Sequence, residues 1–200
     1  MKALVLDHRD SFVFNLTDDL TTCGFDCDVV RNDLSLTGLH DVLERYQPDL
    51  LVLSPGPGHP REHGALLPFL RRRPRVPMLG VCLGMQAMVA ALGGRVGRAE
   101  EGPVHGRTSR VAHDGDPLFE GVPSGFPAGR YHSLVATELP HELQPIAWTE
   151  DRRTLLGLRH RELPWVGLQF HPESILTTDG RKLLGNLTEA TSCSLHSSTI

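Results

Sequence analysis

Along the first half of the chain the apolar positions switch repeatedly between two spacings. Residues 2–6 (Lys-Ala-Leu-Val-Leu) are a short apolar run ending at Asp7, which predicts a buried strand. Asp10 or Ser11 is then placed to cap a helix that turns Phe12, Val13, Leu16 and Leu20 inward and stops before Gly24. Asp28–Arg31 reads as a second strand, and Leu39–Tyr46 as a helix with Leu39, Val42 and Leu43 inward. Leu50–Leu53 is apolar without alternation, the pattern of a strand covered on both faces, and it ends in Ser54-Pro-Gly-Pro-Gly58. A helix near 64–71 leads to a fourth strand, Pro77–Val81, and a fourth helix, Leu83–Leu92, closed by Gly93-Gly94. Strands alternating with helices of this length predict an α/β fold with a doubly wound, mostly parallel sheet flanked by helices. Ligands bind such sheets beyond the carboxyl ends of the strands, where Asp7, Ser54–Gly58 and Cys82 fall.

The second half changes character. Segments around 103–112, 144–149, 154–160 and 164–170 are β-rich, separated by the turn clusters His113–Asp116 and Pro123–Pro127. The expectation is a C-terminal half rich in β-hairpins that extend the same sheet. A last helix is expected over 179–187. The Ser/Thr-rich stretch 188–200 shows no periodicity and is expected to be a disordered tail, leaving one domain over 1–187.

Composition narrows the function. Twenty Lys and Arg against 24 Asp and Glu leave a net charge of −4, the wrong balance for a generic binder of nucleic acid or anionic membranes. The start, Met1–Asp7, has no signal-peptide core, and no apolar run approaches the ~20 residues that span a bilayer. Four cysteines (Cys23, Cys27, Cys82, Cys193) are too few for a disulfide scaffold in a chain of 200 residues. A cytoplasmic protein is expected.

Three motifs carry chemistry. Gly80-Val-Cys82-Leu-Gly84 sets a nucleophile between glycines directly after an apolar strand and at the start of a helix. The helix N-terminus would present free N–H groups and a positive dipole end to the sulfur, favouring thiolate. A cysteine nucleophile needs a proton shuttle. His171, in Gln169-Phe-His-Pro-Glu-Ser174, ends another apolar strand, and Pro172 pushes it into extended backbone. Glu173 then shares its side of the chain and can fix the imidazole's tautomer. Finally, Pro55 and Pro57 have no N–H, so Gly56 and Gly58 are the rigidly offered donors of the Ser54–Gly58 loop. One of them beside the Leu83 amide would make a two-point oxyanion hole.

These motifs, with Arg130-Tyr-His-Ser-Leu134, resemble the class I (triad) glutamine amidotransferases, whose sheet is flavodoxin-like. Within them the chain is similar to the glutaminase subunits of anthranilate synthase (component II) and aminodeoxychorismate synthase, on Asp7-His-Arg-Asp-Ser-Phe12, Asn15-Leu16 and Ile175-Leu-Thr177. The resemblance implies hydrolysis of L-glutamine, with ammonia delivered to a large chorismate-binding synthase subunit in a hetero-oligomer. Cys82 would be the nucleophile, His171 the proton shuttle and Glu173 its orienting carboxylate. Gly56 and Leu83 would hold the oxyanion. Gln86 with the backbone of Ser133 and Leu134 would bind the amino-acid end, and Pro57 and Gly58 would line the pocket. No metal or other cofactor is implied. Two departures stand out: Met85 replaces the usual histidine after the elbow, and His8-Arg9 replace the usual Asn-Tyr in the first motif.

The rival readings are a free-standing Cys–His γ-glutamyl hydrolase or peptidase and a non-catalytic flavodoxin-like binding module. An α/β-hydrolase fits poorly, because there the acidic residue precedes the histidine. Cys23 and Cys27 are expected only to pack, and Arg71–Arg75 to be a solvated helix end. His59 and His63 lack the carboxylates that would suggest a metal.

Overall fold

The computed structural model describes residues 1–187; the predicted tail and Cys193 lie outside them. The chain alternates β1 (Lys2–Asp7), α1 (Val13–Thr22), β2 (Asp26–Arg31), α2 (Leu36–Tyr46), β3 (Leu50–Leu53), α3 (Leu66–Arg71), β4 (Met78–Val81) and α4 (Leu83–Ala91). Seven strands follow: β5 (Arg95–Arg98), β6 (Val104–His113), β7 (Phe126–His132), β8 (Leu134–Glu138), β9 (Leu143–Thr149), β10 (Leu155–His160) and β11 (Trp165–Leu168). Helical residues 180–187 close the described chain.

Nine strands form one sheet in the order β2-β1-β3-β4-β11-β10-β9-β6-β7. The pairings from β2 through β11 are parallel, which gives a doubly wound arrangement whose last parallel strand arrives late in the sequence. From β11 outward the sheet continues antiparallel through β10, β9, β6 and β7. The hairpin expectation holds for these strands but not for β5 and β8, which pair in a separate two-stranded sheet. Both are short and half-exposed, so neither announces itself as an apolar run. β7 is also absent from the sequence reading. Its Pro127 looks like part of a turn cluster but sits in an edge strand, where a missing N–H costs no ladder bond.

The period of two along each parallel strand divides the core. Ala3, Val5, Leu50, Val52, Leu79, Val81, Val166 and Leu168 face one side, under α1 and Leu183, Leu184 and Leu187 of the last helix. Leu4, Leu6, Leu51, Leu53, Met78 and Trp165 face the other, under α2, α3 and α4. Helix α1 begins differently from the expectation. Ser11 makes no cap, Asp10 accepts from the Phe12 amide at 2.8 Å, and Phe12 precedes the helix rather than facing the core from it. Ser35 starts α2 earlier than expected by accepting from the Gly38 amide.

Glycine decides how closely α4 lies on the sheet. A Cβ on Gly80 would come within 2.6 Å of the Gly84 carbonyl carbon, and one on Gly167 within 2.8 Å of Met85 Cγ. A Cβ on Gly84 would run into the Leu53 carbonyl oxygen. Helix propensity alone favours alanine over glycine by about 1 kcal/mol, so the sign of a substitution reports this approach. Gly84→Ala is expected to destabilise the protein by about 1–3 kcal/mol, read as a lower urea midpoint; an unchanged or raised midpoint would mean that α4 is not seated on β3.

Candidate active site

The register of the parallel strands brings their carboxyl ends to one edge: Leu6 lies beside Leu53, Leu53 beside Gly80, and Val81 beside Leu168. The residues that follow each strand therefore meet there, namely His8, Ser54–Gly58, Cys82 and Gln169–His171. Cys82 is the N-cap residue of α4, with φ 51° and ψ −100°. A non-glycine side chain held at such a φ costs on the order of 1–3 kcal/mol, a strain that collects at functional sites. Its amide donates to the Leu168 carbonyl at 2.7 Å, which ties the elbow to β11. Gln169 Nε2 donates to the sulfur at 3.5 Å.

His171 and Glu173 are also positioned by neighbours. The His171 amide donates to the Gly129 carbonyl of β7 at 3.0 Å. Thr177 Oγ1 donates to the His171 carbonyl at 2.6 Å and accepts from the Gly129 amide at 2.9 Å, closing the turn onto β7. Gly129 has no room for a Cβ, which would lie 2.8 Å from Ser174 Oγ. His171 Nδ1 is 2.6 Å from Glu173 Oε1, and both residues are buried. Phe12 and Tyr131 pack edge-on or tilted around the imidazole, with ring centroids at 5.1 and 5.0 Å from it.

The other ring nitrogen, Nε2, is buried and has no hydrogen-bond partner. Burial disfavours the charged imidazole, but the Glu173 carboxylate and the Cys82 sulfur outweigh it and raise the pKa to about 10. The carboxylate and the sulfur thus both favour the protonated ring. Burial pushes the Cys23 and Cys27 thiols the other way, above the usual range, and both pack against the core.

A cavity of roughly 840 Å³ opens over the sulfur. Of the residues singled out from sequence, Gly56, Pro57, Gly58, Cys82, Gln86, Ser133 and Leu134 line it. Leu83 does not; its side chain is buried and its amide is the first of α4, without an intrahelical acceptor. His171 and Glu173 lie outside the lining, and Glu173 borders a separate cleft with Asn15, Asp19 and Ile175. Gln86 Nε2 donates to the Leu134 carbonyl at 2.8 Å and to Gln169 Oε1 at 3.2 Å. Its amide protons are thus committed within the protein, leaving Oε1 to accept from a ligand. His132 also lines the cavity; burial, then the Arg130 charge, lowers its pKa to about 3, so it is neutral.

Sequence reasoning gave no role to Gln169, which touches both the sulfur and Gln86, or to Gly129, whose carbonyl carries His171. Among the described residues, no group of three or more His, Cys, Asp or Glu side chains is assembled to hold a metal. His59 instead accepts from the Arg61 amide. At the exposed end of α3, Arg72 meets His40 and Arg73 pairs with Glu142.

A doubly wound sheet carries a strained cysteine elbow at the same edge as a histidine–carboxylate pair, and the sequence comparison gives this fold its family. The glutamine amidotransferase class-I family model matches residues 4–190, and the chain belongs to that family. It is thus a glutamine amidotransferase. It is 46% identical to anthranilate synthase component 2 of Thermus thermophilus, over 94% of this chain and 92% of that one. It is 42% identical to the component 2 of Methanocaldococcus jannaschii, over 94% and 97%. It is 50% identical to an aminodeoxychorismate synthase of Streptomyces griseus over 96% of this chain, which spans only 26% of that longer protein. Among solved structures, a GMP synthase subunit from Thermoplasma acidophilum superposes with a TM-score of 0.86 at 24% identity, covering 100% of this chain and 98% of the other. That likeness supports the fold.

Removing the carboxylate charge from the buried pair leaves burial as the dominant influence on the imidazole. In Glu173→Gln the His171 pKa is therefore expected to fall, which a ¹⁵N or ¹³C NMR titration of the ring would follow. A value unmoved from the wild type would show that Glu173 does not set the charge.

Proposed function

We propose that this chain hydrolyses L-glutamine through a Cys82–His171–Glu173 triad and supplies ammonia to a large chorismate-binding synthase subunit. The observation that carries the reading is the meeting, at one sheet edge, of a sulfur on a helix N-terminus and an imidazole whose Nδ1 is committed to a buried carboxylate and whose charged form that sulfur favours.

The Cys82 thiolate attacks the carboxamide carbon, forming a C–S bond and placing negative charge on the former carbonyl oxygen. The Gly56 and Leu83 amides receive that charge; a single donor of this kind contributes about 3–4 kcal/mol to the transition state. As the tetrahedral intermediate collapses, the C–N bond breaks and His171 Nε2 gives its proton to the leaving ammonia. The γ-glutamyl thioester is then attacked by water, whose proton passes to the now neutral His171. The C–S bond breaks, glutamate leaves and the thiolate–imidazolium pair is restored. Glu173 holds the ring throughout. Gln86, Ser133 and Leu134 hold the amino-acid end of the substrate, and Pro57 and Gly58 form the wall beside it.

The partner assignment draws on the relatives. The Methanocaldococcus jannaschii and Thermus thermophilus relatives, matched over more than nine-tenths of their length, are named anthranilate synthase component 2, and the Streptomyces griseus match is one part of a longer aminodeoxychorismate synthase. By extension the ammonia serves anthranilate or 4-amino-4-deoxychorismate synthesis, on the routes to tryptophan or folate. A cytoplasmic setting suits an enzyme that depends on a free thiol.

Cys82→Ser is expected to abolish glutamine-dependent amination by the complex while synthesis from added ammonia continues; retained glutamine-dependent amination would contradict the reading, and equal loss of both would point to a folding defect. A glutamine analogue bearing an electrophile should label Cys82 and leave Cys23 and Cys27 unmodified, with peptide mass spectrometry as the readout. Comparable labelling of those two would count against the elbow as the nucleophile. Glutaminase activity of the isolated chain should rise when the synthase subunit is added, the coupling of two sites through one interface.

A further inference from the structure

The Ser54–Gly58 loop has an unusual hydrogen-bond problem. Pro55 and Pro57 donate nothing, so the loop cannot anchor itself through their amides. Its carbonyls are held instead. Ser54 Oγ donates its single proton to the Pro55 carbonyl at 2.7 Å, so the same oxygen must accept from its other neighbours. Those are the His8 amide at 2.9 Å and His8 Nδ1 at 3.1 Å, which makes Nδ1 the protonated nitrogen of that ring. His63 Nε2 lies 2.8 Å from the Pro57 carbonyl, an acceptor only, so His63 is the donor there. The two imidazoles meet edge to face, with centroids 5.2 Å apart and planes at 81°.

Contact reinforces the hydrogen bonds. The loop backbone at Gly56 lies so close to His8 that a Cβ there would come within 2.6 Å of His8 Cβ. His8 is itself rigid, because it directly follows β1, and the Ser54 amide donates to Leu6 of that strand at 3.2 Å. Neither His8 nor His63 lines the cavity over Cys82. Both border a second cleft of roughly 410 Å³ that shares Pro57 and Gly58 with it, so they grip the loop from its far side.

We propose that His8 and His63 are positioning residues that hold the loop so that the Gly56 amide meets the oxyanion formed at Cys82; this rests on the role given to Gly56 under the proposed function. His8 is buried and its Nε2 has no partner. Burial, then the neighbouring His63, lowers its pKa to about 3, which keeps the ring neutral. Neither residue touches the substrate. Each acts on the orientation of a backbone amide.

The test uses the full-length chain with its synthase partner and compares His8→Phe, His63→Leu and His63→Gln, the last keeping an amide donor for the Pro57 carbonyl. Two rates are measured: glutamine hydrolysis, resolved into kcat and KM, and alkylation of Cys82 by iodoacetamide. Alkylation displaces iodide at a saturated carbon and needs no oxyanion hole. His8→Phe and His63→Leu should lower kcat about tenfold, a fraction of the loss from deleting an oxyanion donor outright. KM and the alkylation rate should stay within about twofold of wild type, and His63→Gln should recover kcat. An unchanged kcat in both variants, or kcat and alkylation falling together, would overturn the proposal. Should His8→Phe fail to fold, the half-buried His63 pair carries the same comparison. A wild-type complex that alkylates at Cys82 yet hydrolyses no glutamine would overturn the underlying functional reading instead.

Discussion

The seating of α4 on the central strands is the constraint from which the rest of the molecule follows. Gly80, Gly84 and Gly167 remove the side chains that would hold the helix away from β3, β4 and β11. The chain can then turn from strand to helix in a single residue, and that residue is Cys82, at a φ of 51°. Were α4 displaced outward by the width of a methyl group, the turn would relax and the sulfur would leave the edge where the strands end. The same approach explains why α4 is buried along its whole length rather than amphipathic.

The histidine side of the site depends on long-range pairing. His171 follows β11, the parallel strand beside β4, but its backbone is bonded to Gly129 on β7, the far edge strand of the sheet. The sheet must therefore curl enough for its antiparallel half to return to the parallel edge. Arg130, next to Gly129 and almost fully buried, holds that return in place through Glu101, Ser109 and His132. The parallel half of the fold thus places the sulfur, and the antiparallel half fixes the turn that carries the imidazole and its carboxylate.

This division explains what could be read from the sequence. The parallel strands and the elbow are written locally, in unbroken apolar runs and in glycines flanking Cys82 at the junction of two periodicities. His171 and Glu173 were legible from the motif that ends the last apolar strand, but their local geometry was not. Residues 171–174 form a turn closed by the Ser174 amide on the His171 carbonyl at 3.2 Å, not the extended chain expected from Pro172, and it is this turn that brings Glu173 back to the ring. Phe12 was misplaced because a helical spacing can be extended one residue too far; the ring belongs to the packing around His171. β5, β7 and β8 were invisible because edge and paired surface strands carry mixed polarity, and Pro127 mimics a turn. Gln169 and Gly129 matter only through partners distant in sequence, which no local pattern records. His8 falls between these cases: its departure from the related motif is plain in the sequence, but only the structure shows that its ring reaches Ser54.

The most direct test of the account is to mix the full-length chain and its synthase subunit with L-glutamine, quench in acid during turnover and map the covalent adduct by mass spectrometry. The account predicts one γ-glutamyl group on the peptide that carries Cys82, and none in Cys82→Ser. Turnover with a γ-glutamyl group on any other residue, or on none under conditions that preserve thioesters, would contradict it.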